Sequence, residues 1–169
     1  EVRGEIELYL PGKDPNSVAE IAKFTTMSGK ALSHKALKAN GVEISMVSAA
    51  QLEAEKKKRA EAKKKEYAEM GYEGDDLATM VTDFLGSLLG AEENDLYVRI
   101  KDPKNAIQDI AYVDAAGEVK MVNAREDEGF TLLSTWSGKP QADWKLRVSM
   151  KTAKNVVRMP FALKDVPLP

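Results

Sequence analysis

The chain contains no cysteine and a single histidine, His34. Without thiols, it can build no disulfide, thiolate metal site or cysteine nucleophile. With one imidazole, a histidine-rich zinc site and a histidine-based catalytic relay lose their usual parts. No stretch approaches the roughly 20 apolar residues of a membrane span. An excess of one charge is missing too. The 25 basic and 27 acidic residues leave a formal net charge of -2, which gives no overall pull toward nucleic acid or an anionic membrane. No cofactor, nucleic-acid partner or membrane span is therefore expected. What remains is a 169-residue chain, 43% hydrophobic, large enough to bury a core without a covalent or metal staple. It begins at Glu1 rather than Met, which predicts a removed signal peptide, tag or larger N-terminal part.

Three blocks differ in texture. In the first, residues 1–47, Val2, Ile6, Leu8 and Leu10 share one face of an alternating run. Arg3, Glu5 and Glu7 take the other face, and Pro11-Gly12 closes it. Ala22 to Met27 is a second candidate strand, and Val42 to Val47 a third, entered through the turn pair Asn40-Gly41.

The second block, residues 48–94, follows helix grammar. Ser48 and Gln51 have the spacing of a capping box. The Glu-, Lys- and Ala-rich run Leu52 to Glu69 offers Glu53–Lys57, Glu55–Arg59 and Glu61–Lys65 pairs but a poor apolar face, predicting a helix largely in solvent. Gly71 to Gly74 breaks it, and Asp75 or Asp76 can cap the next helix. There Leu77, Met80, Val81, Phe84, Leu85, Leu88 and Leu89 form one wide apolar stripe ending at Gly90. That stripe requires cover, and the sheet is the natural candidate.

The third block, residues 95–169, returns to strands. Candidates are Leu96 to Lys101, Ile107 to Asp114, Glu118 to Val122, Gly129 to Trp136, Trp144 to Lys151 and Asn155 to Leu163. Pro160 marks the last as an edge strand or a bend. The expected fold is mostly β: a single-domain, immunoglobulin-like antiparallel β-sandwich of about eight or nine strands. It is built from residues 1–47 and 95–169 and interrupted by a helical hairpin over 48–94.

The tail Val156-Val157-Arg158-Met159-Pro160-Phe161-Ala162-Leu163-Lys164-Asp165-Val166-Pro167-Leu168-Pro169 resembles the end of uncharacterised β-sandwich domains of exported bacterial proteins. Tyr112 to Gly117 and the Trp144 to Lys151 strand are similar to the same pattern. The resemblance covers the last third of the chain. It implies a periplasmic or secreted sandwich ending at its natural C-terminus, and it carries no catalytic residue.

Candidate chemistry is sparse. Lys56 to Arg59 and Lys63 to Lys65 could track phosphates. Yet Glu53 to Glu69 holds seven basic and five acidic residues, the pattern of a solvated helix. Asp75-Asp76 and Glu126-Asp127-Glu128 lack the spacing of a calcium loop and read as a helix cap and a polar loop. Trp136, Trp144 and Tyr112 could form a sugar-stacking platform. Trp144 alternates with core positions, which leaves Trp136, beside the Ser137-Gly138 loop, as the exposed candidate. His34 has no triad context and reads as a polar surface residue. The sequence therefore points to a non-enzymatic binding or assembly module. Its helical hairpin offers Leu77, Val81, Phe84 and Leu88 to a protein partner or a second copy. A carbohydrate-binding module using Trp136 is the alternative.

Overall fold

The computed structural model describes residues 1–10, 12–87, 95–127 and 129–163, the side chains of 85–87 and 127 excepted. The fold is mostly β, with three antiparallel sheets and a helical insertion. In chain order the strands are β1 (Val2–Tyr9), β2 (Val18–Ala22), β3 (Ala31–Leu32), β4 (Glu43–Met46), β5 (Leu96–Lys101) and β6 (Ile107–Val113). They continue as β7 (Val119–Met121), β8 (Asn123–Asp127), β9 (Phe130–Ser134), β10 (Lys145–Met150) and β11 (Val156–Leu163). The helices are α1 (Lys35–Asn40), α2 (Ala49–Glu69) and α3 (Gly74–Ser87).

One sheet has the order β2-β10-β6-β7 and a second the order β3-β4-β5-β9-β8. Their inner faces share one core. Ala19, Ile21, Ile110, Tyr112, Leu146, Val148 and Met150 from the first meet Leu32, Ile44, Met46, Val98 and Leu133 from the second. Each fully buried aliphatic side chain contributes about 1.5–3 kcal/mol of transfer free energy. The alternation that pattern reading finds in β10 therefore becomes half of the core. Phe24 stacks on Tyr112 at a centroid distance of 5.3 Å, and Trp144 packs beside it at 6.2 Å.

Several local expectations change. The second strand lies at Val18–Ala22 rather than over residues 22–27. Lys23 takes a left-handed φ of 57°, and the Thr26 hydroxyl donates to its carbonyl at 2.8 Å. The resulting 3-10 turn drops Phe24 into the core, so an apolar run that looked like a strand is a corner. His34 is a helix N-cap: its Nδ1 accepts from the Ala36 amide at 3.2 Å. Gly41, at φ 72°, ends that helix instead of closing a hairpin. Asn123–Asp127, partly read as an acidic loop, is the edge strand β8, paired with β9 through Glu126↔Thr131 and Asp127↔Phe130. Charges on an edge strand discourage pairing with another chain.

The capping box of α2 forms as spelled. The Gln51 amide donates to Ser48 Oγ at 3.2 Å, and the Ser48 amide to Gln51 Oε1 at 2.9 Å. The expectation that this helix stands largely in solvent fails in one respect. Leu52, Glu55, Lys56, Arg59, Ala60, Lys63 and Tyr67, spaced three and four apart, turn inward. Arg59 is buried, with its guanidinium 5.7 Å from the Phe130 ring centroid, and that of Arg99 lies 4.7 Å from the same ring. Phe130, Tyr97 and Leu132 form a second small core on the outer face of the five-stranded sheet, with Val47 and Leu52 against it. Long cationic side chains thus do the seating work that apolar ones do elsewhere, through their stems and through cation–π attraction. Only the Glu55–Arg59 pair forms as spaced, at 3.4 Å; Glu53 takes Lys56 and Glu69 takes Lys65.

α3 packs on α2, and among the described residues none of its side chains belongs to the sandwich core. Lys63 lies 5.3 Å from the Phe84 ring centroid. Asp75 and Asp76 fall inside the first turn, where they favour the positive end of the helix dipole rather than cap it. Leu88, Leu89 and the stop at Gly90 lie outside the described residues, as do the tail residues 164–169.

The third sheet is β1 paired with β11 alone. Its base is a buried polar joint. Asn155 Nδ2 donates to the Met150 carbonyl at 2.9 Å, and Asn155 Oδ1 accepts from Thr152 at 2.7 Å. The Leu10 amide donates to the Asn155 carbonyl at 2.8 Å, tying both strands to one point. Pro160 sits in this ribbon, whose strands are both edges, as its missing donor requires.

Candidate binding surfaces

The register of the ribbon sorts its side chains cleanly. Val2 faces Leu163, Gly4 faces Phe161, Ile6 faces Met159 and Leu8 faces Val157, all on one side. The other side carries Arg3, Glu5, Glu7 and Arg158, with Arg158 3.7 Å from Glu5 and 3.5 Å from Glu7. Gly4 has a specific role: a Cβ there would stand 2.6 Å from the Phe161 ring. The missing side chain lets that ring lie across the strand. The apolar row is nonetheless uncovered, with Val2 and Ile6 each 48% exposed, Met159 49% and Leu163 51%. A strand expected to be part of the sandwich is instead half of an arm with one apolar, solvent-facing side.

The hairpin stripe is better covered. Leu77, Met80, Val81 and Phe84 are half-buried, and Leu77, Ala78 and Val81 border a shallow depression with Lys64 and Gly74. Of the four residues proposed for partner contact, the structure brings Leu77, Val81 and Phe84 onto one helix; Leu88 is not described.

The three aromatic residues of the sugar platform part company. Tyr112 and Trp144 are in the core, where burial pushes the Tyr112 phenol well above its usual range. Trp136 is 95% exposed. It stands at the rim of a depression lined by Asp95, Asn123, Arg125, Leu132, Ser134 and Thr135. Pattern reading found Trp136 but missed these neighbours, because β8 was not recognised and only its pairing sets Asn123 opposite Ser134.

A further depression lies at the mouth between the two large sheets, lined by Asp102, Asp109, Glu126, Gln108 and Thr131 among others. The Asp102 carboxylate already accepts from the Ala106 and Ile107 amides at 2.9 and 2.7 Å. Among the described residues, no three acidic or histidine side chains are placed to hold a metal ion, and no helix is long and apolar enough to cross a membrane.

Comparison with family models, curated proteins and solved structures returns no match.

Proposed function

We propose that the protein is a non-enzymatic assembly module acting outside the cytoplasm, in which two copies join through the apolar face of the β1–β11 ribbon. The observation that carries this reading is the row of exposed Val2, Ile6, Leu8, Met159 and Leu163, with half-buried Val157 and Phe161 between them, on a two-stranded sheet. A lone two-stranded ribbon is marginal in water, and a second layer packed on its apolar face is what makes such a unit stable. The row exposes roughly 500 Å² of apolar surface, the size of the largest patch on a typical monomer. Two copies face to face would bury about 1,000 Å² of it, and the rims would bring the total to the lower range of specific interfaces. A row that is apolar along its whole length also suits a two-fold contact, in which the same patch meets itself. The charged residues lie on the opposite side, so like charges do not meet across the joint. The location outside the cytoplasm is supported by the likeness of the tail to exported sandwich domains.

Sedimentation velocity across a concentration series tests the reading. The intact chain is expected to shift from monomer to dimer, and Ile6→Glu with Met159→Glu to remain a folded monomer. A chain that stays monomeric at every concentration would retire the ribbon as a self-association surface. Persistence of the dimer in the double variant would move the contact elsewhere, with the α3 stripe next in line.

A further inference from the structure

We infer that the depression beside Trp136 is a glycan-binding site that takes one pyranose ring against the indole. The largest apolar side chain of the loop stands 95% exposed, forgoing the stabilisation that burial would supply. The loop holds the residue in place: the Ser137 amide donates to Thr135 Oγ1 at 3.2 Å, and Gly138 turns the chain at φ 82°. Next to the ring, Asn123 and Arg125 project from the edge strand opposite Ser134 and Leu132. Among the described residues, the Arg125 guanidinium and the Asn123 side-chain amide make no hydrogen bond or ion pair. The site thus combines an open aromatic plane with planar side chains whose donors are unused. The aliphatic C–H face of a pyranose fits the first, and its vicinal hydroxyls fit the second, since amide and guanidinium groups bond adjacent oxygens in pairs. Leu132 forms the apolar floor, and Asp95, Ser134 and Thr135 complete a polar rim. An aromatic wall with a few convergent polar groups is the usual composition of a small-ligand site. This site shares no residue with the ribbon.

Affinity electrophoresis of the intact protein tests the inference. The gels contain soluble polysaccharides of two kinds: neutral (xyloglucan, hydroxyethylcellulose, mixed-linkage glucan) and uronate-bearing (polygalacturonate, alginate). Retardation by at least one of them is expected, and Trp136→Ala should abolish it while leaving the unfolding midpoint unchanged. Arg125→Ala should weaken it about tenfold on a uronate polymer and about threefold on a neutral one, which separates the two sources of the ring. Fluorescence supplies a second readout. Trp144 is buried, so quenching by acrylamide reports mainly on Trp136 and should fall when the retarding polymer is added. Free mobility in all five polymers would overturn the inference. So would retardation that survives Trp136→Ala, or acrylamide quenching that the retarding polymer leaves unchanged.

Discussion

In β10, Leu146, Val148 and Met150 are fully buried, with Lys145 and Arg147 turned outward. In β1, Val2, Ile6 and Leu8 alternate with Arg3, Glu5 and Glu7 in the same way, yet remain close to half exposed. The difference lies in what stands opposite. β10 is central in its sheet, between β2 and β6, and its apolar face meets a second sheet. Among the described residues, β1 has one neighbour and no sheet above it. Alternation states that a face is dry; it does not state what keeps it dry.

The largest effect that separates the two strands is truncation of the buried one. Leu146→Ala should cost about 2–5 kcal/mol, read as a lower urea midpoint, whereas Ile6→Ala should cost the isolated monomer under about 1 kcal/mol. Equal losses would mean that the ribbon is as well packed as the core. The joint between them comes next. Asn155→Ala removes two hydrogen bonds from a fully buried position and leaves the Met150 carbonyl without its side-chain donor. An expected loss of about 1–3 kcal/mol should appear together with faster amide exchange in β1 and β11, while β10 and β6 stay protected.

A third comparison concerns the outer face of the four-stranded sheet. There Arg147, then Lys145, hold the Glu20 carboxyl below its ordinary 4.5, with Arg147 at 2.7 Å. A depressed carboxyl stabilises the folded form fully above its unfolded pKa, and the contribution fades as pH falls through the folded value. Glu20→Gln should therefore lower stability at pH 7, where the pair contributes fully, and flatten the acid limb, so that the two proteins converge as pH falls below about 4.5. An unchanged acid limb would show that solvent screens the pair completely.

The smallest effect belongs to Gly4. In Gly4→Ala the new Cβ must push the Phe161 ring aside, and the ring, being the far end of a side chain, can yield. A stability change within about 0.5–1 kcal/mol should accompany a large shift of the Phe161 ring resonances. Unmoved resonances would place that ring elsewhere.

Much of the scaffold was legible in residue order. Ser48 and Gln51 announced the start of α2 because a capping box uses only local groups. The link from β6 to β7 is local in the same way, the Asp114 carboxylate accepting from the Ala116 and Glu118 amides. Trp136 was readable as exposed, because a loop of Ser, Gly, Lys and Pro offers it no packing partner. β2 and α1 were not legible, since their signals are short and the Phe24 corner imitates a strand. The seat of α2 was hidden for a different reason: Arg59 reads as a surface residue until Phe130 and Arg99, far along the chain, are brought beneath it.

By itself, the sequence determined the period of each long element, the positions of the best turns and the absence of thiol and multi-histidine chemistry, because these depend on neighbours within a few residues. Only the tertiary structure decided which alternating strand would reach the core and which would stand out as a ribbon, that a charged helix face would lie inward, and that Asn123 and Arg125 would flank Trp136. Those outcomes depend on pairings between distant segments, and the free energy of a dry face depends on the surface that meets it.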